Sequence, residues 1–216
     1  MKKGEKDMEL TAFERVTLMN IIEKLCEANV KEVANRNIHV SNWLEEHAYD
    51  ACLDVDVDSG CTKAVFFSCQ VPNYIIKIPT TGHTNYCALE AKAYEKAKEE
   101  GYKSYFAACE FFTEMDGIPF YIQERVNCDE NYFSDLFFEY AEGLVSRGNY
   151  DNDDDYSDAV SDRADYMDDW EVIEAVFADH QFSNFIFNIL QINDFHRGNF
   201  GIRSNGDLVL VDYSGY

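Results

Sequence analysis

A short polar stretch near the end of the chain, DFHRGN at residues 194–199, combines side chains that could bind a metal ion and move a proton. It carries a carboxylate (Asp194), an imidazole (His196) and an amide (Asn199), and a second carboxylate, Asp212, ends the apolar run LVLVD. Amide and carboxylate oxygens suit Mg²⁺, which takes few ligands from protein. Asp194 could orient a hydroxyl group or accept its proton. The stretch therefore predicts a small metal-dependent reaction centre.

The segments around this stretch determine whether its polar groups can meet. Residues 200–203 and 208–211 read as two short strands joined by the turn Ser204-Asn205-Gly206. Because a hairpin returns both of its ends to the same edge, we expect Asn199 and Asp212 to converge. The heavily apolar segment 170–193 predicts one buried helix that delivers Asp194 into a loop.

Upstream, hydrophobic spacing and turn residues predict a mixed α+β arrangement. Residues 8–34 have helical spacing and indicate a helix or a helix pair, and residues 53–79 read as strands rich in Val, Phe and Ile. Residues 84–101 predict a helix that stops at Gly101. The remaining predicted elements are strands in FAACEFF and IPFYIQERV, joined by the turn TEMDG, and a helix over residues 131–147.

Composition limits the possible functions. Hydrophobic residues make up 46% and aromatic residues 15%, which is too apolar for a disordered chain. The net charge of −23 would repel phosphates, so we expect no direct nucleic-acid binding. The most acidic segment, residues 149–169, reads as a solvated loop, with a nucleic-acid-mimicking surface as the alternative.

Cysteine usage and hydropathy indicate the compartment. The seven cysteines form no CxxC pair and their number is odd, so a disulfide framework or a zinc site is not expected. No apolar run has the length of a signal peptide core or a membrane span. We therefore expect a reduced, cytoplasmic protein that makes no membrane contact.

The sequence DFHRGN followed by LVLVDYSG resembles the catalytic loop and metal-binding segment of the protein-kinase-like superfamily. The likeness is closest to the D-x-H-x-G-N form of aminoglycoside and other small-molecule phosphotransferases and of phage-encoded kinases. It implies that Asp194 is the catalytic base and that Asn199 and Asp212 bind Mg²⁺. It also implies that His196 lies close to the transferred phosphate.

Upstream segments resemble other parts of these enzymes in the expected order. SGCTKAVFFS, at residues 59–68, is similar to the loop that covers the phosphates, which implies that Gly60, Thr62 and Lys63 contact ATP. NYIIKIP is similar to the strand that supplies the phosphate-binding lysine, here Lys77.

Two more segments complete this order. The glutamate that pairs with Lys77 is matched by Glu90, with Glu95 as the competing assignment. YIQERV resembles the hinge between lobes, where the backbone from Gln123 to Val126, with Glu124 inside it, would meet the adenine edge.

The resemblance, which covers residues 53–216, implies a reduced two-lobed protein-kinase-like α+β fold. Its N-lobe would be an antiparallel sheet plus a helix, and its C-lobe a truncated helical unit. The implied parts are a helical extension (1–50), an N-lobe (51–127) and a C-lobe (128–216) with an acidic insertion at about 149–169 and a catalytic hairpin at 193–216. Size and the SNGD hairpin resemble the early host-takeover serine/threonine kinase domains of T7-like phages.

The resemblance therefore implies an ATP- and Mg²⁺-dependent serine/threonine kinase that acts on host proteins or on itself, in the host cytoplasm if phage-encoded.

The sequence departs from the pattern of these enzymes at two places. Ile192-Asn193 precedes the Asp that matches the catalytic base, and DYSG stands where protein kinases have DFG. If Tyr216 is the true end, the peptide platform must come from the N-terminal helix, the acidic segment or a partner. The alternative is a catalytically weak or inactive kinase-like acidic interaction protein that inhibits a host enzyme, with nucleic-acid mimicry as one way of doing so. Transfer to a small molecule ranks last, because the long helical substrate region is missing. The sequence leaves the oligomeric state open.

Overall fold

The computed structural model describes residues 8–47, 55–59, 62–82, 84–193 and 195–213. Gly60 and Asp194, two of the predicted site residues, lie outside the described residues. The chain divides into two compact units, Met1–Arg125 and Val126–Tyr216. Both contain helices and antiparallel strands, which confirms the mixed α+β class. Among the described helices, none combines the length and the apolarity that a membrane crossing requires.

The first unit contains a five-stranded antiparallel sheet with the strand order β1-β2-β3-β5-β4. Its strands lie in the segments rich in β-branched and aromatic residues where the sequence predicts them. In register, Lys77 lies opposite Val65 on one side and Tyr121 on the other. The strands are β1 (Asp56–Ser59), β2 (Lys63–Phe67), β3 (Tyr74–Pro79), β4 (Cys109–Met115) and β5 (Ile118–Glu124).

Four helices accompany this sheet in the described part of the first unit. The helix or helix pair predicted over residues 8–34 is present as two helices, and the predicted helix that stops at Gly101 is confirmed; the helix Val40–His47 was not predicted as a separate element. Gly101 adopts φ 86°, the left-handed conformation that favours glycine at a helix C-terminus. The helices are α1 (Ala12–Glu27), α2 (Lys31–Ala34), α3 (Val40–His47) and α4 (Tyr86–Glu100).

The hydrophobic core of the first unit lies on one face of the sheet. Trp43 of α3 is fully buried, packs edge-on against Phe66 of β2, and donates its indole N–H to the carbonyl of Ala28 at 2.9 Å. Ile76 and Ile78 of β3 belong to the same core. Because side chains alternate along a strand, Lys77 faces the opposite side, where α4 packs.

The second unit contains helices and the terminal hairpin. Its core is aromatic: the ring of Phe200 contacts those of Phe133, Phe137, Phe177 and Phe195, with centroids 5.3–6.4 Å apart. The predicted hairpin is confirmed. The elements are α5 (Glu130–Leu144), α6 (Asp153–Asp165), α7 (Asp169–Phe177), α8 (His180–Asn184), a π-helical segment (Phe185–Leu190), β6 (Phe200–Ile202) and β7 (Leu208–Leu210).

The prediction of a solvated loop over residues 149–169 was wrong, because most of this segment forms α6. Asn152 caps the helix by accepting the N–H of Asp155 at 2.8 Å. Three aspartates occupy the first turn, where the helix dipole favours negative charge. Val160 and Ala164, four residues apart, supply a buried apolar stripe.

The prediction of one buried helix over residues 170–193 was also wrong. The chain leaves α7 at Ala178, which adopts the left-handed conformation with φ 48°. Asp179 then caps the short α8 by accepting the N–H groups of Gln181 and Phe182, each at 3.0 Å. Ile189 is 54% exposed, so the following π-helical segment is not buried throughout.

Candidate functional site

A buried ion pair connects β3 to α4 in the first unit. The amine of Lys77 lies 2.8 Å from the carboxylate oxygen Oε2 of Glu90, and the two residues are 3% and 0% exposed. The expected pairing of this lysine with Glu90 is therefore present, although any contact with a nucleotide stays a prediction. Glu95, the competing assignment, is exposed and pairs with Lys98 at 2.9 Å.

A second lysine, which sequence reasoning had placed in the phosphate-covering loop, contacts the same carboxylate. Lys63 is the first residue of β2, is 7% exposed, and pairs with Oε1 of Glu90. The register explains this, since Lys63 lies opposite Pro79 while Val65 lies opposite Lys77. Lys63 and Lys77 are therefore diagonal neighbours on one face of the sheet. This period-two relation could have been found in the sequence once the β2–β3 register was known.

A buried thiol borders this cluster of Lys63, Lys77 and Glu90. Sγ of Cys109, on β4, lies 4.0 Å from Oε2 of Glu90. Burial raises the pKa of this thiol, and the negative charge of Glu90 raises it further. The thiol therefore stays protonated and adds no negative charge, so Glu90 supplies the carboxylate that both amines contact.

The segments expected to cover the phosphates and to meet adenine are already bonded to their neighbours. Thr62 is buried, and its carbonyl accepts the N–H of Thr80 at 3.1 Å. At the expected hinge, the N–H of Glu124 donates to Ala108 and that of Arg125 to Asn73, each at 2.8 Å. These two N–H groups therefore have protein acceptors. The predicted nucleotide contacts of Thr62, Glu124 and Val126 stay predictions.

In the second unit, the hairpin brings Asn199 and Asp212 together. The amide of Asn199 donates to the main-chain carbonyl of Asp212 at 3.1 Å, and the N–H of Val211 donates to the carbonyl of Asn199 at 2.8 Å. Asn199 is buried and Asp212 is half-buried. The expected convergence of these residues is therefore present. It follows from the antiparallel pairing of Phe200 with Leu210, since Phe200 follows Asn199 and Leu210 lies two residues before Asp212.

The side-chain oxygens of Asn199 and Asp212 are of the chemical type that a small hard cation prefers. Oδ1 of Asn199 accepts the N–H of His196 at 2.6 Å, which leaves its second lone pair for another partner. The carboxylate of Asp212 would add a charged oxygen, and Mg²⁺ keeps several waters when protein supplies few ligands. Within the described residues, no three His, Cys, Asp or Glu side chains gather as a metal-binding group. One amide oxygen and one carboxylate oxygen are a donor set that suits a sparsely liganded Mg²⁺.

His196 caps the single 3₁₀ turn that leads to Asn199. Its Nδ1 accepts the N–H of Gly198 at 3.1 Å, so in the neutral ring the proton lies on Nε2. The side chain is exposed, which leaves Nε2–H as a donor. This geometry is compatible with the predicted position of His196 near a phosphate group, which stays a prediction.

Sequence reasoning missed two aspartates that contact the same loop. Asp169 accepts the backbone N–H of Phe195 at 3.1 Å, and Asp165 pairs with Arg197 at 2.9 Å. Both aspartates lie in the segment that was predicted to be solvated. Their partners are 26 and 32 residues away along the chain, so no local pattern could have indicated these contacts.

No protein-family model matches the chain, and no curated protein matches it significantly. Function is therefore inferred from the residues and geometry of each unit. The sharpest features are the buried ion pair of the first unit and, in the second, the hydrogen bond from the Asn199 amide to the main-chain carbonyl of Asp212.

Proposed function

We propose that this chain is an ATP- and Mg²⁺-dependent phosphotransferase of the serine/threonine protein kinase type, acting on host proteins or on itself. The observation that carries the proposal is the buried Lys77–Glu90 pair. Burying two charges costs as much as their attraction returns, so stability alone gives little reason to keep such a pair. A fixed amine that must meet phosphate oxygens gives a better reason.

Lys77 holds the phosphates of ATP in this mechanism. Glu90 fixes the amine in place, so that little rotamer entropy is lost when a phosphate oxygen arrives. Lys63, on the same carboxylate, adds a second cation close to the same position. Positioning and charge neutralisation supply most of the rate enhancement in phosphoryl transfer.

Asn199 and Asp212 would hold the metal ion through their amide and carboxylate oxygens. When bound, Mg²⁺ neutralises charge on the β- and γ-phosphates. The reciprocal contacts of Asn199 with His196 and with Asp212 keep its amide oriented before any ligand binds. His196 can donate from Nε2 to a phosphate oxygen.

Asp194 acts as the base. It accepts the proton of a serine or threonine hydroxyl while the hydroxyl oxygen bonds to the γ-phosphorus. The bond from that phosphorus to the β–γ bridging oxygen breaks, and ADP leaves with the electron pair. The products are a phosphoester and ADP, and the proton passes from Asp194 to solvent.

A second candidate is an acidic interaction protein that inhibits a host enzyme. It is supported by α6, which exposes Asp153, Asp154, Asp155, Asp158 and Asp162 to solvent. Binding through such a surface would weaken steeply with salt. An interaction insensitive to salt would exclude this candidate.

The proposed function is tested by incubation with γ-labelled ATP and Mg²⁺, using a mixture of acceptor proteins and the chain itself. Wild type should transfer label, and Asp194→Ala should lose nearly all of it. Asp158→Ala, at an exposed position on α6, is the matched control and should keep wild-type transfer. Equal labelling by wild type and Asp194→Ala would refute the assignment of the base, and no labelling by wild type would refute the function.

A further inference from the structure

Asp169, the first residue of α7, fixes the backbone of the loop that carries the proposed base. Its carboxylate accepts the N–H of Phe195 at 3.1 Å, immediately after position 194. Asp169 is half-buried, which reduces competition from water for this hydrogen bond. A charged acceptor makes the bond stronger than one between neutral groups.

Aromatic contacts hold the same residue from its side chain. The ring of Phe195 stacks on Phe200 with centroids 6.4 Å apart and meets Phe187 edge-on at 5.9 Å. On the other side of position 194, Ile192 is buried and its N–H donates to the carbonyl of Ile186 at 3.2 Å. Contacts therefore hold the chain at Ile192, two residues before position 194, and at Phe195, directly after it. Asp169, which is distant in sequence, accepts the backbone N–H of Phe195.

The contact is separate from the capping of α7. Asp168 is the N-cap: it accepts the N–H of Glu171 at 2.9 Å, and Glu171 accepts the N–H of Asp168 at 3.1 Å. The capping box of α7 is thus formed by Asp168 and Glu171, whereas the carboxylate of Asp169 accepts the N–H of Phe195. The N-terminus of α7 also favours the negative charge that Asp169 carries.

We propose that Asp169 is a positioning residue for phosphoryl transfer, acting through the Phe195 amide on the loop DFHRGN; this rests on the proposed function. Asp165 contributes less, because its pair with Arg197 is exposed on both sides and surface pairs are weak. The acidic segment thus helps to shape the catalytic loop through Asp169, in addition to presenting charge to solvent.

Three variants separate positioning from folding: Asp169→Ala, Asp169→Asn and Asp168→Ala. Asp169→Ala should lower kcat by about ten- to a hundredfold with KM for ATP unchanged, because a small misplacement of a reacting group has effects of this size. Asp169→Asn keeps an oxygen acceptor and should restore most of kcat. Asp168→Ala removes the helix cap, so it should lower Tm and leave kcat close to wild type.

Hydrogen exchange at the Phe195 amide gives a readout that needs no activity. Asp169→Ala should speed this exchange, and Asp168→Ala should leave it near wild type. Unchanged exchange in Asp169→Ala, or a kcat loss no larger than that of Asp168→Ala, would overturn the inference and leave the proposed function standing. An inactive wild type would instead overturn the proposed function, and with it the catalytic role of Asp169.

Discussion

The charged groups of the two candidate sites are held in different ways. In the first unit, Lys63, Lys77 and Glu90 are at most 7% exposed, and both lysines pair with the carboxylate of Glu90. In the second unit, the side chains of Arg197 and Asp165 are 40% and 61% exposed, and hydrogen bonds and aromatic packing fix the loop. Losing a partner should therefore reduce stability most in the first unit, whereas losing a loop contact in the second should mainly reduce activity.

The largest effect is expected for Glu90→Ala, which leaves two lysines buried without their shared carboxylate. Removing one partner of a buried pair costs about 3–5 kcal/mol, because the remaining charge is uncompensated. Denaturant unfolding of the variant measures this loss. Glu95→Ala, on the exposed side of the same helix, should change the free energy of unfolding by less than about 0.5 kcal/mol. Similar losses in both variants would contradict the contrast between the units.

A smaller loss is expected for Gly201→Ala, in the hairpin that carries Asn199 and Asp212. A Cβ at Gly201 would lie 2.3 Å from Cγ2 of Val126 and 2.9 Å from Cγ1 of Val211. Overpacking of this kind costs about 1–3 kcal/mol.

The control for this variant is Gly143→Ala in α5, where a Cβ meets nothing within 4 Å and alanine favours the helix. Thermal unfolding should show a lower Tm for Gly201→Ala and an unchanged or higher Tm for Gly143→Ala. A hairpin that accepts alanine at position 201 without loss would show that apolar packing does not support the Asn199–Asp212 convergence.

The smallest of these effects is expected at the start of α6. Asn152→Ala removes the cap and should cost about 1 kcal/mol if the acidic segment is helical. Asn152→Asp keeps an acceptor and places a negative charge at the helix N-terminus, so it should match wild type or exceed it slightly. The free energy of unfolding measured for both variants checks this. Identical stability of Asn152→Ala and wild type would favour the loop that the sequence alone predicted.

What the sequence could predict depended on how local the determining contacts are. The Asn205-Gly206 turn and the spacing of Asn199 from Asp212 were enough to predict the hairpin and its convergence. The sequence did not predict α6, because the cap and the two buried residues of this helix are a weaker signal than the many aspartates of the acidic segment.

Other features could not be foreseen because they depend on tertiary contacts. Ala178 ends α7 in a left-handed conformation without any glycine or proline to mark it. The bond from Asp169 to Phe195 spans 26 residues, and the sharing of Glu90 by Lys63 and Lys77 requires the register of two strands. The sequence therefore identified the candidate groups and the Lys77–Glu90 pair, but not the contacts of Asp169 and Asp165 with the loop or the second lysine on Glu90.

Calorimetric titration with a non-hydrolysable ATP analogue, with and without Mg²⁺, tests the proposed binding of nucleotide and metal most directly. Wild type should bind the analogue more tightly with Mg²⁺, and Asp212→Ala should lose this dependence. Lys77→Met should weaken binding by at least about tenfold, since a charge-assisted hydrogen bond contributes about 1.5–3 kcal/mol. Lys96→Met, on α4, where the side chain is 40% exposed and pairs with Glu99 and Glu100, should bind like wild type. Absence of binding to wild type, or Mg²⁺ dependence that survives Asp212→Ala, would contradict the proposed phosphotransferase.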